Sequence, residues 1–166
     1  MQLRSKAERA ITGMQIFAGL KGKGLLDRFE VPTAIMVVMV AMMWADKEKE
    51  IVEERQIRSI CDTSPIFDKL STTQIDKLIA ESEAIVQGLG DEAACRKAAT
   101  SLSPELRLTA FAFAAMVLFA DGKVVDLEMA ETAKLSGWLK LDSKTVTEIV
   151  RVISILRHER DLGISK

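Results

Sequence analysis

Two acidic segments of this chain carry residues whose types and spacing suit divalent-cation binding. The first contains Asp46 and Glu53, and the second contains Asp121 and Glu128 at the same separation. The offset in residue number between the two pairs is constant (121 − 46 = 128 − 53), and Asp126 adds a further carboxylate to the second. Carboxylate and carbonyl oxygens are the hard ligands that Ca²⁺ and Mg²⁺ prefer. The sequence therefore contains two candidate metal sites.

Each aspartate also has a simpler structural interpretation. Asp46 and Asp121 each follow an apolar segment, where a helix would end with unpaired carbonyls and a negative dipole. An aspartate at such a position is stable if it caps amides of the following turn, or if it shares a cation with the nearby glutamate. On residue chemistry alone, capping is the commoner solution, and both interpretations stay open.

The two acidic corners differ in their turn residues. Gly122 follows the second aspartate and allows a tight turn with positive φ. Lys47 stands at the equivalent position of the first corner, where Lys47 and Lys49 can neutralise the carboxylates without a metal. Neither corner has the alternating oxygen ligands of an EF-hand loop. If only one corner binds an ion, we expect it to be the second.

Apolar segments at 34–45 and 110–120 precede the two corners and must position them. They contain 12 and 11 residues, whereas a membrane-spanning helix needs roughly 20, so we interpret them as buried core helices. A helix that is apolar on every side has to be surrounded by other helices. The repeat therefore predicts an internal duplication, with two central apolar helices related by an approximate twofold axis.

The rest of the chain predicts further helices. Ser71 with Gln74 has the spacing of a capping box, and Ser103-Pro104 is typical of a helix start. Gly88, Gly90 and Gly137 are candidate helix ends. The predicted helices are 3–20, 32–46, 51–62, 71–87, 91–101, 104–120, 125–137 and 142–158. Apolar residues at helical spacing predict two core-facing stripes: Ile75, Leu78, Ile79, Ile85 and Val86 in the first repeat, and Val146, Ile149, Val150, Ile153 and Leu156 in the second.

These elements predict an all-α fold, a helical bundle of about seven to eight helices. The 166 residues form one domain in this interpretation, with an N-terminal helical extension at 1–30. The first repeat spans 31–88, a connector spans 89–102, and the second repeat spans 103–160.

Composition restricts the function. With a net charge of −1 the chain lacks the excess of positive charge that nucleic-acid binding needs, and we expect no nucleic acid to bind. Two cysteines without metal spacing, Cys61 and Cys95, are typical of a cytoplasmic protein with reduced thiols. His158 is the only histidine, so a hydrolytic triad has no support. No transmembrane segment is expected. The N-terminal segment has apolar residues and basic flanks suited either to docking on the bundle, which we favour, or to a membrane surface.

The segment Ala-Asp-Gly-Lys-Val…Glu at 120–128 resembles the signature of the TerB-like (tellurite-resistance) family, and Ala45-Asp46…Glu53 resembles its partner signature. The resemblance covers roughly residues 30–158. It implies an all-helical fold with pseudo-twofold symmetry, acidic clusters associated with divalent cations, and a role in a bacterial stress response. The ligands that it implies are Asp46, Glu53, Asp121 and Glu128. Lys47 departs from the motif glycine.

The function expected from this resemblance is a non-enzymatic interaction or sensor module of a tellurite-resistance or stress-response system. Its partners would be other proteins of that assembly, and Ca²⁺ or Mg²⁺ would organise the acidic corners. The alternative is a purely structural or co-chaperone-type interaction domain with no metal. The partner, the ion and the oligomeric state are not specified by the sequence.

Overall fold

The computed structural model describes residues 28–45, 51–120 and 126–156, and for residues 126–128 it describes the backbone alone. The described residues form seven helices and contain no strand, so the predicted all-α helical bundle is confirmed. The helices are α1 (Val31–Met43), α2 (Ile51–Thr63), α3 (Thr72–Leu89), α4 (Asp91–Ser101), α5 (Pro104–Leu118), α6 (Asp126–Leu139) and α7 (Ser143–Leu156).

Seven of the eight predicted helices correspond to these elements, with ends that differ by no more than about three residues. The eighth, at 3–20, lies outside the described residues. Both apolar helices end earlier than predicted, at Met43 and Leu118, because the next two residues form a turn. The acidic corners therefore begin after a short turn and not directly at a helix end.

Helix α1 lies at the centre of the bundle. All ten residues from Ala34 to Met43 are at most 1% exposed, because α1 packs against α3, α4 and α5 and also touches α2. Helix α5 packs most extensively on α1 but is less enclosed, since Phe113 and Met116 are half-buried. No helix among the described residues is both long and apolar enough to cross a membrane. One apolar helix is thus fully central, and the other lines one side of the core.

The packing is only partly consistent with the predicted twofold arrangement. Helix α3 packs on α1, and α7 packs on α5, as the symmetry requires. Helix α2 crosses to α5, but α6 packs mainly on the connector helix α4 and on α5. The connector occupies one flank of α1 that a symmetric bundle would give to α6.

Side-chain caps begin two of the helices as predicted. The Ser71 hydroxyl accepts a hydrogen bond from the Gln74 amide at 3.3 Å, and the Gln74 side chain accepts one from the Ser71 amide at 2.8 Å. The Ser103 hydroxyl accepts from the amide of Leu106 at 3.3 Å, with Pro104 at the first helical position. These bonds satisfy amides that a helix start leaves unpaired, so both starts are specified locally.

The glycines have different roles from one another. Gly90 is the single residue between α3 and α4, and its φ of +81° ends one helix and begins the next, as predicted. The prediction that Gly88 and Gly137 end helices was wrong, because both lie inside helices. Helix α6 ends instead at Leu139, the next residue Lys140 has a φ of +56°, and the Leu141 amide donates to the Ser136 carbonyl at 3.0 Å. This is a Schellman-type end formed without glycine.

The predicted core stripe of α3 is confirmed, since all five of its residues are buried. The stripe of α7 is confirmed in part. Val150 and Ile153 are buried and Val146 and Ile149 are partly buried, but Leu156 is 68% exposed. At 100° per residue, Leu156 lies on the edge of the stripe next to Ile149, whereas the core direction runs through Val150 and Ile153. Leu156 therefore falls outside the contact with α5.

Candidate metal-binding corners

The backbone on both sides of the two corners matches at the same offset as the sequence repeat. Helices α1 and α5 end at Met43 and Leu118, and α2 and α6 begin at Ile51 and Asp126. The difference in residue number is the same in both cases (118 − 43 = 126 − 51) and equals the one between Asp46 and Asp121. The two connections between these helices, 44–50 and 119–125, therefore have equal lengths. The two repeats therefore agree in the length of this connection as well as in its residue types.

The turns that lead into the corners also share their hydrogen bonds. The amides of Trp44 and Phe119 each donate to the carbonyl four residues earlier, at 3.2 and 3.0 Å. The amides of Ala45 and Ala120 each donate to the carbonyl three residues earlier, at 3.2 and 3.1 Å. The φ and ψ angles agree as well, at −102° and 4° for Trp44 and −90° and 19° for Phe119. The backbone thus has the same conformation where it enters each of the two corners.

Of the five predicted metal ligands, only Glu53 has a described side chain. Asp46 and Asp121 lie outside the described residues, and for Asp126 and Glu128 only the helical backbone is described. Glu128 is the third residue of α6, as Glu53 is of α2. Within the part of the chain that the structure describes, no group of three or more His, Cys, Asp or Glu side chains is close enough to hold a metal. The geometry of both candidate sites remains a prediction.

Glu53 is an unusual carboxylate because it is only 8% exposed. Its neighbour Glu54 is more accessible and accepts a hydrogen bond from Arg58 at 3.1 Å. Glu53 lies in the first turn of α2, where the helix dipole favours negative charge. Burying a carboxylate is costly unless it is paired, hydrogen-bonded or bound to a cation. The first corner thus has an inward-facing carboxylate at the position that the repeat assigns to a ligand.

A cavity of about 360 Å³ lies at the turn between α2 and α3. Its residues come from the last two turns of α2, the turn at 64–71 and the start of α3. The lining residues are Arg58, Cys61, Asp62, Phe67, Asp68, Leu70, Thr72 and Ile75. This cavity was not predicted from the sequence, since its carboxylates show no motif spacing and are brought together only by the turn around buried Phe67.

Arg58, on one wall of the cavity, is held by two carboxylates. Its guanidinium donates to Asp76 of α3 and to Glu54 of α2. The hydrogen bond to Asp76 is the main cause of the raised pKa of Arg58, and the bond to Glu54 adds to it against the opposing effect of burial. The Arg58–Asp76 ion pair connects α2 to α3. The two carboxylates together neutralise the charge of Arg58.

Both cysteines are buried, and neither has the environment of a reactive thiol. Burial raises the pKa of Cys61 to about 11 and that of Cys95 to about 12, and the nearby carboxylates Asp62 and Asp91 add to the two shifts. A nucleophilic cysteine needs a lowered pKa and an accessible sulfur. The two thiols therefore act as small apolar core residues.

The raised pKa values predict that stability decreases in alkali. Above pH about 9 an unfolded chain loses its thiol protons, while the folded chain keeps them until the pH reaches about 11 for Cys61 and about 12 for Cys95. Their contribution to stability is complete below the unfolded pKa and is lost as the pH rises through the folded pKa. Each thiol should reduce the free energy of unfolding by about 1.4 kcal/mol per pH unit in this window.

Urea unfolding of the wild type and of Cys95→Ala at pH 8, 9 and 10 measures this effect. The stability advantage of the wild type over the variant should shrink from pH 9 upward, because only the wild type can lose the Cys95 proton on unfolding. Comparing the two proteins at each pH cancels the titration of the lysines. If the stability advantage of the wild type stays constant across the three pH values, the pKa of Cys95 is not raised in the folded chain.

Comparisons with known proteins do not assign this chain to a family: no family model, no curated protein and no solved structure matches it. The fold places it in the class of all-α helical bundles, with a central apolar helix and matching turns before the two corners.

Proposed function

We propose that this chain is a non-enzymatic helical module of the TerB-like type, which binds other proteins of a bacterial stress-response assembly. In this proposal the acidic corners hold a divalent cation, Ca²⁺ or Mg²⁺, and the protein acts in the cytoplasm. Asp121, Asp126 and Glu128 bind the ion at the second corner, and Asp46 and Glu53 form a weaker first site.

The matching backbone on both sides of the two corners is the observation that carries the proposal. Helix ends, helix starts and the hydrogen bonds of the turns all repeat at one constant offset along the chain. Away from the corners the helices are less regular in length and packing, so the similarity is concentrated in the residues that flank the acidic segments. A duplicated corner with a repeated Asp and Glu favours a shared role for these carboxylates over a coincidence of surface charge.

The position of the corners explains what a cation would do. Each corner joins a core helix to the next helix, and the carboxylates come from both ends of the connection. An ion bound by both ends would fix the direction in which α2 and α6 leave the core. A surface formed by these helices would then depend on the cation, which is the behaviour of a sensor module.

Thermal unfolding with and without ion tests the cation sites. A ligand that binds only the folded chain at about 100 times its dissociation constant adds about 2.7 kcal/mol, which corresponds to roughly 5–10 °C in Tm for a chain of this size. We expect Ca²⁺ or Mg²⁺ at millimolar concentration to raise the Tm of the wild type by this order. The double variant Asp121→Asn with Glu128→Gln should lose most of the increase.

Two control variants make the result specific. The double variant Asp46→Asn with Glu53→Gln should lose less of the increase, since Lys47 replaces the glycine of the second corner. Glu148→Gln, on the exposed side of α7, should keep the full increase. An unchanged Tm of the wild type in both ions would exclude the cation sites.

The alternative function is a structural or co-chaperone-type interaction domain whose corner aspartates are caps. The confirmed caps at Ser71 and Ser103 support it, because this chain does use side-chain caps to begin its helices. In that case Asp121→Ala should cost on the order of 1 kcal/mol, equally with and without ion.

A further inference from the structure

The cavity at the α2–α3 turn combines an apolar floor with a charged rim. Cys61, Phe67 and Ile75 form the floor and are buried, and Leu70 is half-buried beside them. Asp62 and Asp68 lie on the rim and are exposed. A volume of about 360 Å³ falls within the range of ligand pockets.

The charge around this cavity is negative. Arg58 is the only cation among the described residues that line it, and its charge is neutralised by Asp76 and Glu54. Asp62 and Asp68 make no ion pair with any residue that the structure describes. Asp62 also lies in the last turn of α2, where the helix dipole adds negative potential. An anion would meet repulsion here, and a cation would meet attraction.

The start of α3 is the positive end of a helix dipole, and one of its free amides is already capped. The first amides of α3 would favour an anion, but the Ser71 hydroxyl already accepts from the Gln74 amide, and the Gln74 side chain accepts from Ser71. The capping box thus occupies the Gln74 amide, one of the donors that an anion would use. The two rim carboxylates add negative potential at the mouth of the cavity.

We propose that this cavity receives a lysine side chain of a partner protein. The aliphatic stem of lysine would pack on Leu70 and Ile75, and its ammonium group would lie between Asp62 and Asp68. Long basic side chains bury their stem on apolar surface while the charge stays at the rim, which is the arrangement that this cavity offers. The site goes beyond the proposed function and involves none of the corner residues.

A blocked tripeptide, acetyl-Ala-Lys-Ala-amide, provides the test probe. Titrated into the ¹⁵N-labelled chain, it should shift the amide signals of residues 61–75 in a saturable way. The same tripeptide with norleucine, which keeps the stem and removes the charge, should bind on the order of tenfold more weakly. The same peptide with glutamate should give no saturable shift.

The double variant Asp62→Asn with Asp68→Asn should reduce the affinity for the lysine peptide on the order of tenfold. Both residues are exposed, so the variant should keep the fold, which its spectrum reports directly. Glu148→Gln removes one negative charge from another helix and should leave the affinity unchanged. Equal binding of the lysine and norleucine peptides, or unsaturated shifts spread over the surface, would overturn the proposal. Neither result would affect the cation test, since that test uses different residues and ions.

Discussion

Replacing Phe111 with alanine should lower the free energy of unfolding by about 3–5 kcal/mol. Phe111 lies on α5 and is fully buried in the core cluster that also contains every residue of α1 from Ala34 to Met43. Truncation removes the transfer free energy of the ring and leaves a cavity beside a helix that cannot move without disturbing its other neighbours. Domains typically have only about 5–15 kcal/mol of stability, so the loss is a large fraction of the total. Urea unfolding monitored by circular dichroism measures it.

Phe113→Ala is the matched control, because Phe113 is on the same helix but only half-buried. It should cost about 1–2 kcal/mol, since less apolar area leaves water on folding and no closed cavity forms. Equal losses for the two variants would show that α5 is enclosed to the same degree on both sides, contrary to the asymmetric core described above.

Replacing Gly90 with alanine should destabilise the fold by about 1–3 kcal/mol. The reason is the backbone alone: φ is +81° and ψ is 157°, a region that residues with a Cβ rarely adopt. A Cβ at Gly90 would meet nothing within 4 Å, so crowding cannot be the cause. Because Gly90 alone connects α3 to α4, no neighbouring residue can take over the turn. The midpoint of urea unfolding measures the change.

Gly137→Ala should have the opposite sign. Gly137 is exposed inside α6, and a Cβ there would also meet nothing within 4 Å. Alanine stabilises a helix interior by about 0.5–1 kcal/mol relative to glycine. The two substitutions are chemically identical, so a difference in sign isolates the backbone conformation. Destabilisation by both would mean that helix α6 does not continue through residue 137.

Local signals account for the parts of the fold that the sequence predicted well. The caps at Ser71 and Ser103 and the apolar stripe of α3 depend on residues within one or two turns of each other. The end of α6 was misplaced at Gly137 because a helix tolerates an exposed glycine, while Lys140 adopts positive φ without any residue type that signals it. Glycine marks a helix end only where the backbone adopts a positive φ, as it does at Gly90.

Features that depend on packing were not accessible from the sequence. The repeat predicted two equivalent central helices, but α4 takes one flank of α1, and Phe113 and Met116 remain half-exposed. The cavity at the α2–α3 turn needs three segments in one arrangement, and its carboxylates have no characteristic spacing. Among the candidate metal ligands, the sequence placed Glu53 on the third residue of its helix within the predicted bounds, but its burial followed only from the structure.

The position of α1 also has a consequence for synthesis of the chain. Helices α3, α4 and α5, which cover α1, are all translated after it, and the last of them is complete only at Leu118. At about 5–20 residues per second, the ribosome needs roughly 4–15 s to advance from the end of α1 to that point. During that interval ten consecutive apolar residues, from Ala34 to Met43, lack part or all of their native cover. The most protected helix of the folded protein is thus the most vulnerable segment of the nascent one.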